Sequence, residues 1–306
     1  MAIPPARHPE ERTRRRLVGR LHASERMLKD YSRDLREAGG DSEARREAYK
    51  ALVRFNGEIE AINETLRRDF VPQHGPNQLL GADALLVSRL FNVRNKNVPR
   101  LPEVRLELRY SEGQSLVYTG PELRQSEGVV FMSLINILRD YPAGLVVSFS
   151  PGDLCKALYG HYDGHTRNQL KDSIIRLMRG VLTFPSFSVQ LAQKFTHPSK
   201  GPWSVAVDAC IVRLFQELQY TWLDFKLHRS LTAGVTTWLY AYVRTQPRLR
   251  PIRLESLIEL SGSDAKSAKA FKSSLYRALD ELAVKGVIAP DFVVTADVLH
   301  WRKLKP

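Results

Sequence analysis

The sequence predicts an α+β chain in which one small unit, a strand, two helices and a β-hairpin, occurs twice behind an N-terminal helical hairpin. Three observations predict it. Residues 1–75 lack β-type runs and space their apolar residues as helices do. The order strand, helix, turn, helix, hairpin can then be read off two later stretches. In both, the second helix is long and amphipathic, with cations on the face away from its apolar stripe.

A chain of 306 residues with 43% hydrophobic and 26% charged residues can bury a core and suits two domains or more. Its formal net charge of +13 attracts polyanions, chiefly nucleic acid or an anionic membrane surface. No run approaches the ~18 apolar residues of a membrane span. The start, MAIPPARHPEERTRRR, is charged where a signal peptide needs an apolar region, so export is not expected. The two cysteines, Cys155 and Cys210, make no disulfide framework and suit a reducing cytoplasm.

In order along the chain, Leu17, Leu21, Leu28, Tyr31 and Leu35 mark a first helix, and Ala48, Leu52, Phe55, Ile59, Ile62 and Leu66 a second. GGDS at 39–42 separates them, with Gly ending one and Asp41 or Ser42 capping the next. VPQHGPNQ (Val71–Gln78) is rich in turn residues and reads as a linker, and the domain division sets the linker at 76–84. VRLELRY and SLVYTG are two strands joined at SEGQ, EGVVFMSLINILRDY is a helix, and GLVVSFS is a strand. Ser150 with Pro151 opens the short helix PGDLCKALYG, and a long helix follows from His165 to Gly180. FSVQLAQKF and SVAVDA close this unit as a hairpin around THPSKGP. Leu231–Arg244 then reads as one helix, LRPIRLESLIELSG as a strand and helix, and SDAKSAKAFKSSLYRALDELAVKG as the second long helix. VIAPDFVVTADVLHWRK supplies the second hairpin. This order describes a winged helix-turn-helix, so the expected fold is two tandem winged-helix domains, 85–215 and 216–306.

In the first long helix, Leu170, Ile174, Leu177 and Met178 share one stripe. The early turns of such a helix meet base edges, where Asn and Gln suit adenine and Arg and Lys suit guanine or phosphate. His165, Arg167, Asn168, Gln169 and Lys171 are therefore candidate DNA-binding residues, with Arg176 further along. Lys266, Lys269, Lys272, Ser273 and Arg277 are their counterparts in the second. Lys200 in the first hairpin loop and Arg302 and Lys303 beside the second suit phosphate contacts. A solvated polar face is the plain alternative for either helix alone.

Cys155, His161 and His165 are close in sequence but lack a fourth ligand for zinc, and Cys155 falls among apolar residues, so no metal is expected. No phosphate-binding glycine loop, G-x-S-x-G or H-E-x-x-H occurs, so neither an enzymatic activity nor a cofactor is expected.

RLFNVRNKNVPR (Arg89–Arg100), VYTGPELR (Val117–Arg124) and SGSDAKSAKAFKSSLYRALDELAVKGVI (Ser261–Ile288) resemble segments of the TrfA-type plasmid replication initiators. DLCKALYG, DGHTRNQLKDSIIRL and VAVDACIVRLF resemble that family at matching spacings. The resemblance implies tandem winged helices, no catalysis, and binding to directly repeated origin sites (iterons). It also implies duplex opening and recruitment of the host initiator ATPase, replicative helicase and sliding clamp. NQLLGA places Gln78 and Leu79 where the family carries its clamp-binding motif, without the aromatic residue of that motif. Arg94, Lys96 and Arg100 in NVRNKNVPR read either as a cationic arm on DNA or as a loop packed on the domain. The helical N-terminus suits self-association or contact with host proteins. A winged-helix repressor on operator DNA is the runner-up function, and a metal-dependent nuclease the third.

Overall fold

The computed structural model describes residues 14–37 and 42–304. Two long helices come first, α1 (Arg14–Glu37) and α2 (Ser42–Asp69), as expected. They pair along their length: Tyr31 stacks on Phe55 with centroids 5.8 Å apart, and Arg20 bridges to Glu58 at 3.0 Å. The expected break lies outside the described residues up to Asp41. Arg14 fastens the pair to the body. Its amide donates to Asp140 O at 2.8 Å, its Nε to Arg139 O at 3.0 Å, and its guanidinium, also bonded to Val71 O, lies 5.1 Å over the Phe70 ring. Burial holds the Arg14 pKa below the usual arginine value.

The expected linker at 76–84 is instead a core strand. β1 (Gln78–Ala82) runs antiparallel to β11 (Tyr220–Asp224), with Leu79 opposite Leu223. Leu79 and Leu80 are fully buried, because α4 (Gln125–Leu138) covers the strand and Asn136 Nδ2 bonds Gly75 O and Gln78 O. Gln78–Leu79 therefore offers no free segment to a clamp in this arrangement.

After the short helix α3 (Asp83–Leu86) and β2 (Phe91–Asn92), β3 (Val104–Ser111) and β4 (Gln114–Gly120) form a hairpin whose tight turn includes Gly113 at φ +70°. β5 (Leu123–Arg124) pairs in parallel with β2 and leads into α4. Gly120 sits at φ +150°, where a Cβ would come 2.7 Å from Arg179 O, so only glycine fits at this crossing. β6 (Val147–Phe149), α5 (Pro151–Tyr159) and α6 (Gly164–Met178) follow. The expected strand Phe187–Phe195 is two strands in two sheets. β8 (Ser188–Gln190) pairs with β7 (Val181–Thr183) and extends the β3–β4 hairpin to the order β3-β4-β7-β8. β9 (Gln193–Thr196) turns away to pair with β10 (Trp203–Ala206) in the sheet β6-β10-β9. The corner is held by Asp208, whose Oδ2 accepts from Gln190 N at 3.1 Å and Gln193 Nε2 at 3.0 Å.

α7 (Ile211–Glu217) and β11 lead to the second unit. The helix expected over Leu231–Arg244 begins only at α9 (Val235–Thr245), after a break that follows a separate short helix, α8 (Phe225–Ser230). The break falls where Gly234 takes φ +107° and Thr237 Oγ1 accepts its amide at 3.1 Å. β12 (Ile252–Arg253), α10 (Leu254–Ser261), α11 (Ala268–Val284), β13 (Val293–Thr295) and β14 (Val298–His300) complete it, with sheet order β12-β14-β13. This repeats the order β6-β10-β9: the strand before the helices pairs with the last strand of the unit. The two units touch directly. Val93 N donates to Ser261 O at 3.0 Å, Thr237 Oγ1 to Gln125 Oε1 at 3.1 Å, and Arg229 Nη1 to Ala157 O at 3.2 Å.

Candidate nucleic-acid interface

The first long helix is set by its ends and its apolar stripe. Asp163 caps α6, its Oδ1 accepting from Thr166 N at 2.7 Å while Thr166 Oγ1 accepts from Asp163 N at 3.0 Å. The Thr166 amide holds the Asp163 carboxyl below its ordinary value. Leu170, Ile174 and Leu177 are fully buried, which leaves His165 and Asn168 exposed and Gln169 and Lys171 half-buried. Arg167 turns to the hairpin: its guanidinium lies 5.2 Å over the Trp203 ring and its Nη2 donates to Pro198 O at 2.7 Å and Ser199 O at 3.1 Å. It ties the exposed 197–202 loop, which carries Lys200, to α6.

The second long helix starts later than expected. Ser267 caps it, its Oγ accepting from Ala270 N at 3.2 Å, so Lys266 lies in the turn before the helix and not on its face. Phe271, Leu275, Leu279 and Leu282 face inward, and Lys269, Ser273 and Arg277 are exposed. Arg277 lies along the helix with Nη2 3.2 Å from Ser273 Oγ. Lys272 holds its own hairpin turn, Nζ 2.8 Å from Asp297 Oδ1, and the Asp297 bond raises the lysine pKa. The turn residues Ala296 and Asp297 take φ of 49° and 58°. Beside the hairpin, Arg302 pairs with Asp291 at 3.0 Å and Lys303 turns back onto Gln246 O at 3.2 Å, so neither extends as a free phosphate contact.

Arg94 and Arg176 are placed differently from expectation. Both point at buried carboxylates, because Glu122 and Glu127 are almost fully enclosed and need cations. Arg94 Nη1 lies 3.1 Å from Glu122 Oε2, and Arg124 Nε 3.0 Å from Glu122 Oε1. Arg100 Nη1 lies 2.8 Å from Glu127 Oε2, and Arg176 Nη1 3.0 Å from Glu127 Oε1, where Ser173 Oγ also donates at 3.0 Å. Burial pushes the Glu122 carboxyl up, but bonds from the Leu101 amide, Arg124 and Asn92 outweigh it and hold the group below the usual range. Of the two readings of NVRNKNVPR, the packed loop holds for Arg94 and Arg100; Lys96 remains exposed. The cluster contains four arginines against two glutamates, so its surroundings stay cationic.

Arg94, Lys96, Gln169 and Arg277 are brought together along one open groove of about 920 Å³ between the two units. Gly262, at φ +61°, makes the close approach there; a Cβ would come 2.8 Å from Asn92 Cβ. Glu122 and Glu127 were missed in the sequence. Their signal was a carboxylate inside GPELR and another at the start of an otherwise apolar helix.

Cys155 is buried, its Sγ 3.6 Å from Thr166 O, whereas His161 lies at the surface 3.4 Å from Asp163. The cysteine and histidines thus do not converge, and no cluster of three metal-binding side chains occurs among the described residues. Among them, too, no helix is long and apolar enough to cross a membrane.

The TrfA protein family model matches residues 36–303. The plasmid replication initiator protein TrfA of Escherichia coli is 25% identical over 228 residues, which are 71% of this chain and 59% of that protein. The chain thus spans about six tenths of the length of that curated relative. A crystal structure of domains 2 and 3 of RctB superposes with a TM-score of 0.50 at 11% identity, over 73% of this chain and 98% of that one. The likeness to RctB is one of fold. With its model spanning both units and the NVRNKNVPR and GPELR segments, the chain belongs to the TrfA protein family.

Proposed function

We propose that the chain is a plasmid replication initiator that binds directly repeated origin sites as a sequence-specific double-stranded DNA-binding protein, through two winged helices. The observation that carries this reading is the repeated unit itself. Two strand–helix–turn–helix–hairpin units in one chain each expose a cationic long helix and tie a hairpin to it. The name of the Escherichia coli relative supports the same reading. His165, Asn168, Gln169 and Lys171 read bases in one major groove, and Lys269, Ser273 and Arg277 in the next, about 10 base pairs on. Lys200, Lys96 and Lys266 contact phosphates. The protein acts without catalysis or cofactor, opening the duplex by binding energy and handing it to the host initiator ATPase and helicase in the bacterial cytoplasm.

Selection of sites from random duplex DNA tests the proposal. A single asymmetric site of about two helical turns is expected from tandem reading heads. An inverted repeat would instead mark a symmetric dimer and favour the operator-binding repressor, and the absence of any enriched sequence would leave non-specific affinity alone.

A further inference from the structure

A second cationic site lies at the far end of α11, about 24 Å along the helix from Lys269. Arg244, Lys285 and Lys303 line a pocket of about 110 Å³, and no carboxylate is among the described residues lining it. Desolvation first, and then the charge of Arg244, pull the Lys303 pKa down, as expected where two cations share a site without an anion. Arg244 also lines an adjoining groove of about 450 Å³ along β11, beside Tyr220 and Trp222. The one carboxylate of that groove, Asp224, is engaged in capping α8, its Oδ1 accepting from Leu227 N at 2.7 Å.

β11 is also an edge strand, closed at one end, where Tyr240 Oη accepts from Asp224 N at 3.0 Å, and open at Tyr220 and Trp222. It belongs to a two-stranded sheet, and α4 covers the other strand. Asp83 N donates to Gln219 O and Phe225 N to Asn77 O, so Thr221 and Leu223 exchange bonds with β1. Antiparallel alternation then turns the N–H and C=O of Tyr220 and Trp222 to the free side. On this edge Trp222 is 41% exposed, whereas Trp203, Trp238 and Trp301 are buried. An open edge flanked by an exposed indole is what strand addition by a peptide uses, with main-chain bonds for affinity and flanking side chains for selectivity.

We propose that the β11 edge and the Arg244 pocket form one docking site for an extended acidic peptide of a partner protein. The peptide main chain pairs with Tyr220 and Trp222, an apolar side chain lies on the Trp222 ring, and a carboxylate enters between Arg244, Lys285 and Lys303. Charge complementarity selects the occupant: the pocket holds three cations and the chain carries +13 overall.

Random dodecapeptides displayed on phage, selected on the full chain and counter-selected on Trp222→Ala and Arg244→Gln proteins, test the site. Both variants change surface residues outside the duplex-reading face, and their thermal midpoints and duplex affinity should match the parent. Enriched peptides should alternate apolar residues with Asp or Glu, shift the emission of the exposed Trp222, and bind each variant about tenfold more weakly or worse. Enrichment without carboxylates, or equal binding to the variants, would overturn the proposal. So would displacement of the peptides by a dT oligonucleotide whose own binding Arg244→Gln weakens, since the surface would then be one for single strands.

Discussion

In the first unit the long helix α6 has, besides its apolar stripe, a buried carboxylate tied to it from behind; in the second, α11 rests on apolar side chains. Glu127 grips α6 through Arg176 and Ser173 and joins it to the loop through Arg100 and to the chain before α4 through the Arg124 amide at 2.9 Å. Behind α11 lie Phe271, Leu275, Leu279 and Leu282, and apart from the Lys272–Asp297 pair with its hairpin it has a polar tie at Glu281, whose Oε1 accepts from Thr232 N at 2.8 Å. Burial of hydrocarbon stabilises without direction, whereas charged hydrogen bonds fix angle and register at a desolvation cost. The difference teaches that two copies of one architecture can set the same helix by unlike forces, and they should fail unlike each other.

The largest expected effect breaks the first unit. Glu127→Ala leaves Arg100 and Arg176 part-buried without their counter-charge, which should cost about 3–5 kcal/mol. Glu281→Ala should cost about 1 kcal/mol. Urea unfolding of the two variants checks this, and similar losses would mean that the two long helices are held alike.

Acid should loosen both halves. Burial pushes His74, at the foot of the N-terminal helices, and His228, on α8, down to about 4. Each is neutral when folded at pH 7, and the unfolded chain takes up its protons first as pH falls below about 6.5. The contribution is therefore full above pH 6.5 and lost between there and about pH 4, by roughly 3 kcal/mol for each group. Stability measured against pH should fall in that window, and His228→Gln should make the decline shallower.

What was legible in the sequence followed local rules. The α5 cap at Ser150, the β3–β4 turn and the apolar stripes of both long helices are set by neighbours within a few residues. What was not legible depended on partners far along the chain. Gln78–Ala82 looks like a continuation of a turn-rich linker until Tyr220–Asp224 is placed beside it. Phe187–Phe195 looks like one strand because nothing in it announces that Asp208 will bend it into two sheets. Arg94 and Arg176 looked like DNA contacts because a cation facing a buried carboxylate and one facing solvent have the same sequence signature.

Within the reading surfaces the effects are smaller. Asn168→Ala or Gln169→Ala should relax base preference at one position by about 1–3 kcal/mol, read by competition between the selected site and its single-base variants. Unchanged discrimination would move the reading head away from α6. Lys200→Ala should weaken all duplexes alike and lower the slope of log affinity against log salt by about 0.9.

The smallest effect sharpens the comparison most, because it concerns the one device both units share. Each long helix holds its hairpin with a cation, but Arg167 bonds neutral carbonyls and Lys272 a carboxylate. Arg167 thus keeps its full charge toward a phosphate, while Asp297 cancels that of Lys272 and makes the second hairpin a weaker electrostatic contact. Asp297→Asn keeps a residue that tolerates the left-handed backbone of this turn, so the fold should persist. It should tighten duplex binding a few-fold at low salt and steepen the salt slope by about 0.9, as one released cation finds a phosphate. Ser199→Asp is the mirror experiment: a carboxylate set beside Arg167 should flatten the slope and weaken binding. If Asp297→Asn left the slope unchanged while Ser199→Asp lowered it, only the first hairpin would lie on the duplex, and the second unit would read DNA by its helix alone.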